Sequence, residues 1–250
     1  GIGALGLMFL FPAQRLPLVV TAAACAALLF RLPANIVQRY RGKRFTAAGM
    51  AAALAAALAV TAAAVLLPVP GEIDRYKALS YLRSLEAQGD AERVATRHGP
   101  RMRLDIYDAP SLHHTLFVSP GSGSVPPPQL AILADGEMAG TIFKAGSVEE
   151  TEVMQYTPQS LPYRLLSSPK SVLLLGESGG SNVWLARGYS PGRITVVQKN
   201  EALLDLMRGR LEDASGGVLT APGVNVEEMV PRLFLERSGR KHDLIQFASA

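Results

Sequence analysis

One cysteine, Cys25, occurs in 250 residues. A disulfide framework needs at least two, and a cysteine-based metal site needs more, so both are excluded. Acids are missing from residues 1–71, although six bases lie there: Arg15, Arg31, Arg39, Arg41, Lys43 and Arg44. The whole chain has 25 Lys and Arg against 21 Asp and Glu, so residues 72–250 hold 19 bases and all 21 acids. The positive balance therefore belongs to the N-terminal region. The remainder offers no basic excess for phosphates, which argues against a nucleic-acid partner. Charge of either sign is absent from residues 45–71. No Gly-Lys-Ser or Gly-Lys-Thr follows a glycine-rich loop, which excludes a Walker phosphate cradle. No Ser, His and Asp stand in the context of a hydrolytic triad.

The uncharged stretch is long. Thr46–Leu67 has 22 residues, which as a helix reaches about 33 Å, the thickness of a hydrocarbon core. Pro68 and Pro70 end it, and Gly49 with many alanines suits close helix packing. Leu16–Leu32 reads as an earlier span, residues 1–11 as the tail of another, and Pro12–Arg15 as the turn between them. Bases lying between apolar spans are the pattern of a membrane protein. Five of them in Arg31–Arg44 put that loop on the cytoplasmic side, which would send residue 71 onward outside. A domain that uses a cytosolic cofactor must be inside, so the pattern leaves the orientation open.

The most informative segment lies further on. Residues 171–180 read SVLLLGESGG: an apolar run of strand length, then Gly176, Gly179 and Gly180. Ser181–Gly188 reads as a helix, and after Pro191-Gly192 comes a second strand, Arg193–Gln198. A strand, a glycine-rich turn and a helix start place bare N–H groups at the carboxyl edge of a parallel sheet, where nucleotide-like ligands bind. Two serines, Ser178 and Ser181, stand where a dinucleotide fingerprint would have its second and third glycines. A side chain at these glycines is expected to obstruct a ligand's approach to the backbone.

Four regions are expected: membrane spans over 1–70 (about 1–11, 16–32 and 46–67), a linker helix over 71–98, β-hairpins over 99–145, and a partial Rossmann-like domain over 146–250. The linker helix is centred on Ile73–Ala87. The hairpin strands are read at MRLDIYD, HHTLFVS and QLAILAD, with Asp135-Gly136 as a hairpin turn. SLPYRLL reads as a helix. Beyond Gln198 the pattern continues as helix Glu201–Leu211, a weak strand near Val218–Val226, a helix near Glu227–Glu236 and strand His242–Phe247. The expected fold class is α/β: transmembrane helices, a small antiparallel β-hairpin region, then the first half of a doubly wound, methyltransferase-type sheet. The chain reads as a fragment cut at both ends.

The order VLLLGESGG, ITVVQKN, HDLIQF after a hairpin region resembles the spermidine synthase family, closest to its bacterial membrane-bound branch. RYKALS, PPPQLAILADGEM and QSLPYRLL carry the likeness too, over roughly residues 72–250. The resemblance implies a transferase with an S-adenosylmethionine-methyltransferase-like Rossmann fold. Its ligand would be decarboxylated S-adenosylmethionine, or S-adenosylmethionine, with no metal. The reaction would move an aminopropyl or methyl group to an amine such as putrescine. Gly176, Glu177, Ser178, Gly179 and Gly180 match the loop that approaches the methionine-derived part. The family acid that holds both ribose hydroxyls falls on Gln198, which has one acceptor where a carboxylate can take two bonds. The adenine-addressing pair falls on Gly223-Val224-Asn225, leaving Asn225 as the polar residue. The catalytic Asp falls on Ala248, so the catalytic residue is unassigned.

These departures keep a second reading open: a non-catalytic, membrane-tethered Rossmann-like module that binds a nucleoside or a partner. The branch implies the bacterial inner membrane, with the lipid bilayer as a partner and the soluble domain cytoplasmic; a homo-oligomer is compatible with it. His113-His114 reads as ordinary strand positions, since neighbours on a strand point to opposite faces. Trp184 reads as core.

Overall fold

The computed structural model describes residues 74–99, 102–115, 117–166 and 169–248, together with Ala55, Ala59 and Ala62. The chain divides into two compact units, residues 1–72 with 98–101, and residues 73–97 with 102–250. The second holds nearly all of the described residues.

Its first part is a four-stranded sheet in the order β1-β2-β3-β4, with β1 Glu92–His98, β2 Arg103–Asp108, β3 Gln129–Ala134 and β4 Glu137–Phe143. The β3–β4 connection is the two-residue turn Asp135-Gly136, with φ of 51° and 87°. Positive φ at both positions is what a tight hairpin with right-handed strand twist requires. Helix α1, Ala78–Gln88, docks on this turn: the Leu79 N–H donates to the Gly136 carbonyl at 3.0 Å. Gly89 ends α1 in the left-handed conformation, its N–H returning to the last turn. Leu79 and Leu82 of α1 pack on Tyr107, Ala131 and Leu133. The opposite face of the sheet presents Leu104, Ile106, Leu130, Ile132 and Ile142 to the main core.

After 3₁₀ segments Glu149–Tyr156 and Pro158–Ser160 and the short helix α2, Leu161–Leu166, a parallel sheet begins. Its order is β7-β6-β5-β8, with β5 Ser171–Leu175, β6 Arg193–Gln198, β7 Val224–Glu228 and β8 Leu244–Phe247. All three pairings are parallel. Both faces of β5 are buried, which is why its sequence is a continuous apolar run rather than an alternating one. Val172, Leu174, Ile194 and Val196 meet helices α3, Ser181–Gly188, and α4, Glu201–Arg208, on one face. Leu173, Leu175 and Val197 meet Phe234 of α5, Pro231–Ser238, on the other. Helices on both faces make the sheet doubly wound and Rossmann-like. Trp184 of α3 is fully buried, with the Arg187 guanidinium 4.6 Å from its ring centroid.

The spans expected at 1–11, 16–32 and 46–67 lie outside the described residues, apart from Ala55, Ala59 and Ala62. Among the described residues no helix is long and apolar enough to cross a membrane. The transmembrane part of the expected fold class is corrected on that finding, and so are the integral-membrane location and the bilayer partner drawn from it. The architecture described is α/β with a Rossmann-like parallel sheet.

Other differences are local. The stretch read as a linker helix also contains strand β1. HHTLFVS carries no strand among its described residues. Prolines at 110, 120 and 126–128 flank it and remove ladder donors, and Phe117 sits at φ 60°, 72% exposed. The third parallel strand starts at Val224 rather than Val218, because Gly216 and Gly217 hold the chain in left-handed turns.

The two sheets meet at Gly179. A β-carbon added there would lie 1.8 Å from the Thr141 carbonyl oxygen of β4. Gly179→Ala must push the glycine-rich loop and β4 apart. It should cost roughly 3 kcal/mol or more, the upper end of overpacking penalties. Chemical denaturation measures this; a variant of unchanged stability would show that the contact is loose.

Candidate functional site

The loop after β5 is organised by its own acid. Glu177 is 3% exposed. Its carboxylate accepts the Gly180 N–H at 2.8 Å and the Asn182 side-chain amide at 2.7 Å. The N–H groups of Asn182 and Ser178 also point to it. A helix start and a turn of free N–H groups form a nest for an anion. Here the chain supplies that anion itself. Burial pushes the Glu177 pKa up, against the pull of the surrounding donors.

From Glu177 a buried chain of hydrogen bonds runs across three elements. Asn182 accepts the Gln246 amide at 3.2 Å, and Gln246 accepts the Tyr163 hydroxyl at 2.9 Å. Tyr163 is fully buried and stacks on Tyr189, with ring centroids 4.9 Å apart. Burial, with the Glu177 charge behind it, holds its hydroxyl well above the usual phenol range. The chain pins α3, β8 and α2 to the loop.

Gln198 is also committed. Its amide donates to the Glu177 carbonyl at 2.6 Å, and its oxygen accepts the Asn200 N–H at 3.0 Å. Asn200 in turn caps α4 by accepting the Leu203 N–H. Gln198 thus braces the glycine-rich loop from the end of the next strand.

The glycines have reasons inside the protein. Gly176 and Gly180 adopt φ of 80° and 88°. A β-carbon at Gly180 would meet Val218 at 2.4 Å, and one at Gly179 would meet Thr141. The expectation that they serve a ligand's close approach gains a second cause, packing of the loop against its own scaffold.

A cleft opens at the carboxyl edge of β5 and β8. Glu177, Ser178, Ser181 and Asn182 line it, together with Thr141 of β4 and Ala248. His114 is the other titratable group on its lining. Of the residues named from sequence, the structure brings together Gly176, Glu177, Ser178, Gly179, Gly180 and Gln198. Asn225 stands apart. It pairs with Thr195 in the body of the sheet, three residues or about 10 Å short of the carboxyl edge. Glu228 holds the edge position instead, in register with Gln198. The chain through Asn182, Gln246 and Tyr163 has no motif in the sequence to announce it. Among the described residues no group of three His, Cys, Asp or Glu could hold a metal ion.

The raised Glu177 pKa fixes a pH dependence. The folded state binds this proton more tightly than the unfolded one, so the group's contribution to stability is present at low pH. It is lost as pH rises from the ordinary carboxylate range through the folded pKa. Between pH 4 and 7 the wild type should therefore lose stability relative to Glu177→Gln, measured by urea unfolding. A gap that is constant with pH contradicts the assignment.

No family model matches this chain, and no curated protein matches it. Among solved structures it is similar to a spermidine synthase in complex with the transition state analogue AdoDATO. That likeness has 16% identity and a TM-score of 0.43, and covers 62% of this chain and 46% of that one. It is similar also to the spermidine synthase from Thermotoga maritima, at 16% identity and a TM-score of 0.42, over 62% of this chain and 47% of that one. The chain spans less than half the length of either. The likeness is one of fold alone.

Proposed function

We propose that the cleft binds an S-adenosylmethionine-type nucleoside, decarboxylated or intact, and that the protein transfers its aminopropyl or methyl group to an amine such as putrescine. The observation that carries this is the buried Glu177 carboxylate in the cleft wall, under a glycine-rich loop at the carboxyl edge of a parallel sheet. In its ionised form this carboxylate, set in a water-poor wall, favours a sulfonium or an ammonium over an anion. The ordered sequence motifs support the family of reaction.

The step is an in-line displacement. The nitrogen lone pair of a neutral amine attacks the carbon beside the sulfonium, and the C–S bond breaks with its electron pair going to sulfur. The attacking nitrogen then loses a proton. Ser178 and Ser181 offer polar contacts that position the partners, and positioning is the main work of such a site. Ala248 carries no proton acceptor at the place where the resemblance sets one, and Gln198 is occupied by the protein. Those two facts favour the second reading, a module that binds the nucleoside without turning it over.

Calorimetry on the full chain with S-adenosylmethionine, its decarboxylated form and methylthioadenosine tests binding. A coupled run with putrescine tests turnover. Binding with spermidine formed supports the transferase; binding without product supports the module; no binding of any of the three overturns both. Glu177→Gln should weaken the dicationic decarboxylated ligand about tenfold more than neutral methylthioadenosine, a difference of about 1.4 kcal/mol. Equal weakening would mean that Glu177 acts on the loop alone.

A further inference from the structure

Among the described residues two titratable side chains line the cleft, and one of them is uncommitted. Glu177 has its oxygens engaged by the Gly180, Asn182 and Ser178 donors of its own loop. His114 is the other, and among the described residues no hydrogen bond or ion pair engages its ring. The main chain that carries this ring is nevertheless pinned on both sides. The His114 N–H donates to the Gln129 side-chain oxygen of β3 at 3.0 Å, and its carbonyl accepts the Thr141 hydroxyl of β4 at 3.4 Å. Thr141 is also the residue against which Gly179 packs. One residue of β4 thus anchors both the histidine and the glycine-rich loop. His113, the neighbour in sequence, is exposed and does not line the cleft.

Two further polar atoms of the lining lack partners. The Thr115 hydroxyl and the Gln159 side-chain oxygen are buried, and neither has a hydrogen-bond partner among the described residues. Buried polar atoms are ordinarily paired, and leaving one unpaired is costly, so the two mark a place where a ligand's hydrogens complete the bonding. An amide oxygen accepts and cannot donate, which matches an N–H. A free imidazole in its neutral form offers one acceptor nitrogen, which matches a proton to be removed.

We propose that His114 is the proton acceptor of the transfer, with Gln159 accepting an N–H of the attacking amine and so aiming its lone pair. The lone pair of the neutral amine forms the new C–N bond, while the C–S electrons leave with sulfur. The nitrogen, now positively charged, gives up one proton to the free imidazole nitrogen of His114, and the imidazolium passes it to water. This route needs no acid at position 248. The assignment rests on the transferase reading of the cleft. Its test is turnover of decarboxylated S-adenosylmethionine with putrescine by the full chain, alongside calorimetry with methylthioadenosine. His114→Gln should lower kcat about a hundredfold or more, the ordinary effect of a positioned base, and leave methylthioadenosine affinity within about twofold. His113→Gln should match the wild type in both. Imidazole added to His114→Ala should restore part of the lost turnover. Without turnover, putrescine added to the methylthioadenosine complex should move the ¹⁵N ring resonances of His114 and leave those of His113 in place. Undiminished turnover in His114→Gln, a parallel loss of methylthioadenosine binding, or an unmoved His114 ring overturns the proton role and leaves the nucleoside reading standing. A wild type that binds methylthioadenosine but forms no spermidine overturns the transferase reading, and the proton role falls with it.

Discussion

A carboxylate buried in a turn of its own backbone governs this structure. Removing a charged carboxylate from water costs several kcal/mol unless donors replace the water. Glu177 receives them from Gly180, Asn182 and Ser178. Meeting that demand fixes the loop's path, which in turn requires left-handed backbone at Gly176 and Gly180. It also fixes the start of α3, whose free N–H groups close on the carboxylate. The Asn182 amide, having donated to Glu177, is oriented to accept from Gln246, and Gln246 is then oriented to accept from Tyr163. One buried charge thus sets the direction of a hydrogen-bond chain that reaches β8 and α2.

The same loop joins the two sheets. Gly179 lies against Thr141 of β4, so the antiparallel sheet is seated on the glycine-rich turn rather than beside it. The cleft is the space left where that contact ends. Its walls therefore come from both sheets, and its charge comes from the residue that holds the loop. Under the proposed reading stability and binding are tied: a ligand cation that draws on the Glu177 field would draw on the group that keeps the loop folded. Gln198 contributes on the same terms, as a brace from the neighbouring strand.

Strands β5 and β6 and helix α3 are legible in the sequence because burial on both faces leaves continuous apolar runs, with glycines between them. The Asp135-Gly136 turn is legible because few other residue pairs adopt two positive φ values. Strand β1 is not, because ERVATRH is mostly exposed or half-buried and carries charges that hide its alternation. The resemblance sets Asn225 just after the third strand, read near Val218–Val226; the structure starts that strand at Val224, so Asn225 falls inside it. The uncharged length of residues 46–67 pointed to a membrane span, and no described helix is one. The Glu177–Tyr163 chain leaves no local signature, since it joins residues far apart in sequence through tertiary packing.

The claim at the centre of this account is that the cleft under the Glu177 loop is where a nucleoside binds. Amide chemical shifts of the ¹⁵N-labelled full chain, followed as decarboxylated S-adenosylmethionine is added, test it residue by residue. Saturable shifts at Gly176–Asn182 and at Thr141 are expected, with Asn225 and the α1 face unmoved. Shifts confined to other surfaces, or none at millimolar ligand, would contradict it.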